Sequence, residues 1–129
     1  PVMFSTVLGS GASGEAWLST NRKYVIKICM NEDNAKREAR FLLDCRKLGL
    51  AVATFHGLYS DGWRTGIVTS YAGSSIGRLP DAPLHQRQQL LTALSNLHQH
   101  NIHHHDIRSA NVMVDDHGAV KLIDFDQAK

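Results

Sequence analysis

Apolar and β-branched residues alternate with polar ones in short runs at the start of the chain, and glycines or turn residues separate the runs. This pattern predicts three strands, Met3–Leu8, Glu15–Thr20 and Tyr24–Cys29. The order is strand, glycine-rich turn, strand, turn, strand. Because short turns join antiparallel neighbours, we expect the first segment to form an antiparallel meander.

The following segment changes to helical periodicity. Asn31 is a suitable N-cap for a helix from Glu32 to about Leu48, and Gly49 supplies the stop. Glu32 and Lys36 form a favourable pair at i,i+4 spacing. Apolar residues at i, i+4, i+7 and i+8 predict one core-facing stripe on this helix, formed by Ala35, Ala39, Leu42 and Leu43.

The second half of the chain contains further predicted elements in a less regular order. Two strands are expected near Ala51–Leu58 and Thr65–Tyr71, and Gly73–Gly77 has the composition of a short connection. A second helix begins at Pro83 and ends near Asn101. Its leucines predict a core-facing stripe, namely Leu84, Leu90, Leu91, Leu94 and Leu97.

A short hairpin is predicted to close the chain. Val112–Val114 and Val120–Ile123 flank a turn segment of sequence Asp-Asp-His-Gly. The whole pattern predicts an α+β fold, in which a sheet with one helix precedes a small helical part that carries the hairpin.

Composition and charge exclude several classes of protein. The chain has 129 residues, which fits a single domain, and its 43% hydrophobic and 20% charged residues argue against a disordered chain. A formal net charge of +2 gives no reason to expect nucleic acid or a membrane as partner. No apolar run approaches the roughly 18 residues of a membrane span. The two cysteines and the absence of a signal-peptide pattern favour reduced thiols and a cytoplasmic or nuclear location.

The first candidate for chemistry is a glycine-rich turn of pattern G-x-G-x-x-G, formed by Gly9, Gly11 and Gly14. Glycines allow backbone N–H groups to approach phosphate oxygens, where a Cβ would collide. A dinucleotide-binding turn would lead directly into a helix, but the residues after Gly14 are typical of a strand. A glycine-rich hairpin over a nucleotide therefore fits better, although many such patterns are plain turns.

A lysine lies inside the apolar third strand. Lys27 follows Val-Ile and precedes Ile, and such a residue is commonly only the solvent-facing position of a strand. It gains interest from Glu38 on the next helix, because a buried Lys–Glu pair can hold an ammonium against phosphate oxygens. Glu32 is the alternative partner, but it lies at the helix start, where acids stabilise the helix dipole.

The segment between the second helix and the hairpin places a carboxylate, a cation and an amide within six residues. Asp106 can accept a hydroxyl proton, and Arg108 can offset developing phosphoryl charge. Asn111 can bind a hard cation through its carbonyl oxygen, and Asp124, at the end of an apolar strand, can supply a second oxygen ligand. A lone Asp at a strand end more commonly forms a turn.

These motifs, in this order, resemble the eukaryotic-type protein kinase superfamily: a glycine-rich loop, the strand lysine of Val-Ile-Lys, the helix glutamate, the catalytic loop His-His-Asp-Ile-Arg-Ser-Ala-Asn, and Asp-Phe-Asp in place of Asp-Phe-Gly. The resemblance covers nearly the whole chain. It implies a kinase-like fold with an N-lobe over residues 1–72 and a reduced, truncated C-lobe over residues 73–129, in one domain.

The resemblance also implies roles for individual residues. Catalysis would involve Asp106 as base, Arg108 where many members have lysine, and Lys27 paired with Glu38. Mg²⁺ would be held by Asn111 and Asp124. ATP phosphates would be bound by Lys27 and the glycine-loop residues Gly9, Ser10, Gly11 and Gly14. The adenine would hydrogen-bond to the backbone near Ser70–Ala72, with Thr69 behind it.

Three departures from the family pattern affect what this implies. His105 replaces the arginine that often receives an activation-loop phosphate, so control by such a phosphate is doubtful. Asp126 replaces a glycine, which restricts the backbone freedom of that segment. The chain stops at Lys129, before the activation segment and most of the lower lobe of the family, so it is either a fragment or a much reduced kinase fold.

The leading hypothesis is an ATP- and Mg²⁺-dependent Ser/Thr phosphotransferase that acts on a protein or on itself. The alternatives are a pseudokinase, which binds nucleotide or a partner without turnover, and a small-molecule kinase, which we rank last. A homodimer is expected to cover the surface where the lower lobe would dock. The clustered histidines raise a structural zinc site as a further alternative, formed by residues among His98, His100, His103, His104, His105 and His117.

Overall fold

A computed structural model describes residues 2–11, 14–125 and 127–129, and within these residues the chain forms two antiparallel sheets and two long helices. The elements in chain order are β1 (Phe4–Gly11), β2 (Gly14–Ser19), β3 (Tyr24–Cys29), α1 (Glu32–Lys47), β4 (Phe55–Ser60), β5 (Thr65–Ser70), β6 (Ser74–Ser75), α2 (Leu84–Gln99), β7 (Val112–Val114) and β8 (Val120–Leu122). The predicted α+β class is confirmed, with a five-stranded antiparallel sheet and one helix followed by a second helix and a small sheet.

The larger sheet has the strand order β1-β2-β3-β5-β4, and its first three strands form the predicted meander. Residues directly opposite each other on antiparallel strands project from the same face. Gly9, Ala16, Lys27 and Ile67 are successive partners and therefore form one row across four strands. This register places the lysine in the same row as a glycine of the β1–β2 hairpin.

Helix α1 follows its sequence pattern closely. The side chain of Asn31 caps it by accepting a hydrogen bond of 3.0 Å from the Asn34 N–H, and Glu32 pairs with Lys36 at 3.3 Å. The predicted stripe is buried except for Leu43, which is 36% exposed, and that part of the prediction is wrong. The buried face lies slightly to one side of the predicted one, and its members are Ala35, Glu38, Ala39, Leu42 and Cys45.

The predicted strand Ala51–Leu58 is wrong at its start, because β4 begins at Phe55. The apolar residues before it join the two sheets instead. Ala53 N–H donates to Leu122 O at 3.1 Å, and Leu122 N–H donates to Ala51 O at 2.9 Å. One continuous apolar run is therefore divided between two partners, and only pairing with the distant β8 determines where the division falls.

The predicted connection at Gly73–Gly77 contains a short strand that the sequence did not indicate. Ser74 and Ser75 of β6 pair with β7, which gives the smaller sheet the order β6-β7-β8. Gly73 makes this possible because its φ is +104° and a Cβ there would lie 2.0 Å from Val114 O. No other residue type fits that approach.

Helix α2 buries only part of the predicted stripe. Leu90, Ala93 and Leu97 are buried, whereas Leu84 and Leu91 are 61% and 67% exposed. The prediction is therefore correct for Leu90 and Leu97 and for Leu94, which packs partly buried against the core, and it is wrong for Leu84 and Leu91. The helix packs on β8, and these two leucines lie mostly exposed.

A single apolar cluster joins the two sheets and both helices. Leu42 and Cys45 of α1, Leu97 of α2, Leu122 of β8 and Phe125 belong to it, and all are nearly or fully buried. The two halves are thus held to one core. Among the described residues, no helix has both the length and the apolar character that a membrane span requires.

Candidate active site

Lys27 lies between two carboxylates that come from different parts of the chain. Its Nζ is 2.6 Å from Glu38 Oε1 and 2.9 Å from Asp124 Oδ1, and the side chains are 17%, 4% and 23% exposed. Burial by itself lowers the pKa of Lys27, but the charges of Glu38 and Asp124 outweigh it and raise the pKa above that of a free lysine. The ammonium therefore stays charged at any physiological pH.

Of the two acids considered as partners of Lys27, the structure places Glu38 beside it. Glu32 pairs with Lys36 on the exposed side of α1, whereas Glu38 faces the sheet and is 3% exposed. The second oxygen of Glu38 accepts a hydrogen bond of 2.8 Å from the Phe125 backbone N–H. Sequence analysis missed this contact, because the partners are 87 residues apart and one of them is a backbone group without a sequence signal.

His104 fastens the loop before β7 to the segment after β8. Its Nδ1 accepts from the Asp106 backbone N–H at 3.1 Å, and its Nε2 lies 2.7 Å from Ile123 O. Since a backbone N–H can only donate, Nδ1 is the acceptor and Nε2 carries the proton given to Ile123 O. The ring also packs edge-on against the buried Phe125, with centroids 4.7 Å apart. The histidine thus holds both loops in register.

Asp106 and Asn111 are held together at the surface of this loop. The Asn111 side-chain NH₂ donates to Asp106 O at 3.0 Å and to Asp106 Oδ2 at 3.1 Å. Arg108 Nε lies 3.3 Å from Asp106 Oδ1. Asn111 is 4% exposed, and its NH₂ group is used for Asp106, so its amide oxygen is the atom that remains as an acceptor for another group.

The glycine turn is a β-hairpin, as predicted, and β2 follows it directly. Gly11 pairs with Gly14, and Ala12 and Ser13 between them lie outside the described residues. Gly14 has a φ of +130°, and a Cβ there would lie 1.8 Å from Ile28 O, so the sheet itself requires glycine. A Cβ at Gly9 would contact nothing within 4 Å among the described residues, so packing within the chain does not explain the glycine at this position.

The segment predicted to contact adenine is only partly on the Lys27 face of the sheet. Thr69 follows Ile67 by two residues on β5 and therefore shares the Lys27 face, and Ala72 is buried. Ser70 projects from the opposite face, where its hydroxyl lies 2.6 Å from His56 Nε2. The structure does not bring the Ser70 side chain to the others.

Backbone donors in the same segment are partly used already. Ser70 N–H donates to Thr54 O at 2.9 Å, and Tyr71 N–H donates to Lys23 O at 2.8 Å. If adenine binds the backbone of this segment, the groups that remain for it are the Ala72 N–H and the carbonyl oxygens.

The clustered histidines form a ladder rather than a ligand set. His98 and His103 have ring centroids 5.0 Å apart, and His103 and His105 have centroids 5.9 Å apart. In the part of the chain that the structure describes, no three His, Cys, Asp or Glu side chains are placed to hold a metal ion. The zinc alternative is therefore wrong for these residues.

The two unusual positions of the motifs have different outcomes. His105 is exposed, and its φ of +68° is in the left-handed region. Asp126, which stands where the family pattern has glycine, lies outside the described residues.

A separate groove of about 400 Å³ lies on the opposite face of the large sheet. Tyr24, Ile26 and Val68 line it, and these residues alternate along their strands with those of the Lys27 face. The groove is mostly apolar and contains none of the predicted site residues.

Comparison with known proteins identifies the chain's relatives. The family model described as protein kinase domain matches residues 3–129. The serine/threonine-protein kinase grp of Drosophila melanogaster is 33% identical over 138 residues, which cover 94% of this chain and 27% of that protein. The serine/threonine-protein kinase KIC1 of Saccharomyces cerevisiae is 29% identical, with 92% of this chain and 13% of that protein covered.

A third relative matches a shorter part of the chain at higher identity. The mitogen-activated protein kinase kinase kinase YODA of Arabidopsis thaliana is 52% identical over 42 residues, which cover 33% of this chain and 5% of that protein. The chain thus spans about a quarter or less of the length of the curated relatives it matches. With a family model that matches nearly every residue and a lysine held between a helix glutamate and a distant aspartate, the chain belongs to the protein kinase domain family.

Proposed function

We propose that this chain binds ATP together with Mg²⁺ and transfers a phosphoryl group to a Ser or Thr hydroxyl, on a protein substrate or on itself. The observation that carries the proposal is the contact of Lys27 with both Glu38 and Asp124. It joins a residue of a strand, a residue of a helix and a residue of a loop, and Lys27 and Asp124 are 97 residues apart in the chain. The names of the relatives support the Ser/Thr class.

The phosphate groups of ATP would meet Lys27 and the glycine hairpin. Lys27 stays charged and is oriented by Glu38, and its ammonium has a third N–H beyond the two that Glu38 and Asp124 accept. Gly9, in the same row two strands away, offers a backbone that no side chain covers. Ser10, Gly11 and Gly14 would contribute backbone N–H groups around the same oxygens.

The oxygen donors of Asn111 and Asp124 fit Mg²⁺, which prefers a few protein oxygens together with substrate phosphates. Among the described residues, the amide oxygen of the buried Asn111 has no hydrogen-bond donor, and Asp124 follows Ile123, whose backbone N–H donates to Asn111 O at 3.1 Å. When bound, the cation would neutralise charge on the phosphate oxygens. The residues present therefore fit the metal, and its placement is part of the proposal.

Asp106 would accept the proton of the substrate hydroxyl. It is 31% exposed, and although both oxygens have a protein partner, each carboxylate oxygen can accept a second hydrogen bond. Arg108 is 65% exposed and would offset charge on the transferred group. The exposed Arg108–Asp106 pair adds little to stability, so the arginine can turn toward a phosphate at little cost.

A second candidate function is a pseudokinase that binds nucleotide without turnover. Two observations favour it: His105 in place of arginine, and the contact that already occupies Asp124 Oδ1. The two functions share one binding site and differ only in whether phosphate is transferred.

The division of the chain at residue 72, with an N-lobe before it and a reduced C-lobe after it, is also part of the proposal. So is a homodimer that covers the surface where the lower lobe of the family would dock. Leu84 and Leu91 of α2 are exposed apolar residues that such a contact would bury.

The experiment compares wild type with Asp106→Asn in two assays, thermal stabilisation by ADP or ATP with Mg²⁺ and transfer of labelled phosphate. We expect stabilisation in both proteins and a loss of transfer of about 10²–10⁴-fold in the variant. The exposed Asp116→Asn on the β7–β8 turn removes the same charge away from the site and should behave as wild type.

Each result decides between the candidates. Stabilisation of wild type without any transfer would favour the pseudokinase. Equal transfer by wild type and Asp106→Asn would contradict the assignment of the base. No stabilisation by any nucleotide would contradict both functions.

A further inference from the structure

The side chain of Ser75 connects β6 to the turn that carries Asn111. The backbone pairing of β6 with β7 is continued by the Ile76 N–H, which donates to Val112 O at 2.9 Å. In addition, the Ser75 hydroxyl lies 2.7 Å from Ser109 O. The two serines are 34 residues apart in the chain, so this contact joins the segment after β5 to a distant loop.

The direction of this hydrogen bond follows from the two neighbours of the hydroxyl. A carbonyl oxygen can only accept, so Ser75 donates its single hydroxyl proton to Ser109 O. The Gly77 backbone N–H can only donate, and it donates to the Ser75 hydroxyl oxygen at 3.2 Å. A neighbour in its own segment therefore orients the hydroxyl, and the proton of the hydroxyl is used across the loop.

The carbonyl that accepts this proton belongs to a single 3₁₀ turn, Ser109–Asn111. Within the turn, the Asn111 N–H donates to Arg108 O at 2.8 Å, and the Val112 N–H donates to Ser109 O. Turns of this kind have poorer hydrogen-bond geometry than an α-helix, so a contact from outside contributes to holding them. Asn111, the last residue of the turn, is buried.

We infer that Ser75 is a positioning residue for the proposed metal site: its hydroxyl holds the Ser109 carbonyl, and with it the turn that sets the direction of the Asn111 amide. The inference rests on the proposed function only in treating Asn111 as a metal ligand. The two hydrogen bonds of the hydroxyl are properties of the chain without ligand, and the role does not require Ser75 to touch the cation.

Ser74 provides a matched control on the same strand. Both serines of β6 are exposed, and successive strand residues project from opposite faces. Among the described residues, the Ser74 hydroxyl has no hydrogen-bond partner. Ser74→Ala and Ser75→Ala therefore remove the same group from adjacent positions, and only the second removes the donor to Ser109 O. Ser75→Thr retains that donor, and threonine is well accepted in strands.

The first measurement is hydrogen exchange of the Asn111 and Val112 amides, followed by NMR without ligand and expressed relative to the Leu122 amide of β8. We expect this ratio to be about three- to tenfold higher in Ser75→Ala than in wild type, which corresponds to the loss of one hydrogen bond. Ser75→Thr and Ser74→Ala should keep the wild-type ratio. A general loss of stability would accelerate the Leu122 amide equally, so the ratio isolates the turn.

The Gly77 amide distinguishes the inferred role from a purely local one. If the hydroxyl serves only its own segment, Ser75→Ala should accelerate exchange of the Gly77 amide and leave the Asn111 and Val112 amides unchanged. That result would overturn the inference. Equal acceleration in Ser75→Ala and Ser74→Ala, or the same acceleration in Ser75→Thr as in Ser75→Ala, would also overturn it.

A binding measurement connects the turn to the metal. With ADP present, Mn²⁺ should bind Ser75→Ala about three- to tenfold more weakly than wild type, whereas Ser74→Ala should bind it as wild type does. Wild-type Mn²⁺ affinity in Ser75→Ala would contradict the inference. Absence of Mn²⁺ and ADP binding by wild type itself would contradict the proposed function instead, and the exchange ratio would still decide whether Ser75 positions the turn.

Discussion

The two long helices have the same length, yet their sequences predicted their buried faces with different success. Each has 16 residues. Helix α1 begins with a side-chain cap at Asn31 and packs against the large sheet through the face that its periodicity indicated. Helix α2 begins after Pro83 without a side-chain cap and leaves Leu84 and Leu91 exposed.

This difference shows that an apolar stripe in a sequence identifies the residues that a helix can bury. Which of them are buried depends on the elements that pack against the helix. Helix α1 has β3, β4 and β5 on one side and water on the other, so its stripe and its environment agree. Helix α2 packs on β8, and Leu84 and Leu91 of its predicted stripe are mostly exposed. The helix whose buried face was predicted more accurately is also the one that contributes a candidate site residue, because Glu38 lies on the buried face of α1.

The largest effect is expected from the buried face of α1. Leu42 is 3% exposed in the common core, so Leu42→Ala should lower the free energy of unfolding by about 2–5 kcal/mol through lost burial and a residual cavity. Urea unfolding followed by circular dichroism measures it. The adjacent Leu43→Ala, at 36% exposure, is the control and should cost clearly less. Equal losses would mean that the buried face of α1 is assigned incorrectly.

A smaller effect concerns the thiol on the same face. Burial first, and the charge of Asp44 second, raise the pKa of Cys45 from 9.0 to about 11. The folded state therefore retains the thiol proton longer than the unfolded chain. This contribution to stability is complete below pH 9.0 and is lost as the pH rises from 9.0 to about 11.

Two measurements check this prediction. At pH 8 the folded chain should react with a thiol reagent at Cys45 about a hundredfold more slowly than the unfolded chain. Comparing the urea stability of wild type with that of Cys45→Ala between pH 8 and 11 isolates the thiol from other titrating groups. Cys45 labelling in the native protein at the rate of the unfolded chain would show that the thiol is not protected.

The smallest effect on stability is expected on the exposed row of α2. Leu91 is 67% exposed, so Leu91→Ser should change the free energy of unfolding by less than about 0.5 kcal/mol. The neighbouring Leu90→Ser, at 7% exposure, should cost more than about 2 kcal/mol. Similar losses for the two variants would contradict the assigned faces of α2.

The same variant tests the proposed homodimer. If a second copy covers Leu84 and Leu91, sedimentation equilibrium should detect association of wild type at high concentration and less of it for Leu91→Ser. A monomeric wild type at every concentration would remove that part of the proposal.

Much of the candidate site was predictable because its members lie in short segments with strong local patterns. The strand bounds around Lys27 were predicted correctly at both ends, and the hairpin after the glycines followed from the strand-like residues beyond Gly14. The choice of Glu38 over Glu32 followed from the role of acids at a helix start. In each case the decisive interactions are local: strand propensity, helix capping and i,i+4 pairing.

The parts that were predicted wrongly or missed depend on pairing between distant segments. The start of β4 was misplaced because Ala51–Ala53 hydrogen-bonds with Leu122 instead. Strand β6 was missed because its two serines have weak strand propensity, and only their pairing with β7 makes them a strand. The backbone near Ser70–Ala72 was predicted to contact adenine, but pairing with Thr54 O and Lys23 O already uses the N–H groups of Ser70 and Tyr71. The Glu38 contact with the Phe125 N–H uses a backbone donor, which every residue type provides.

The sequence by itself determined the order of the elements, the α+β class and the residue types available for a phosphate and metal site, because propensity and short-range spacing act within a few residues. Only the tertiary structure decided which face of α2 is buried, where the apolar run before β4 divides, and that Glu38 holds Lys27 and Phe125 at once. Those outcomes depend on register and burial, which are fixed only when segments nearly a hundred residues apart pack into one core.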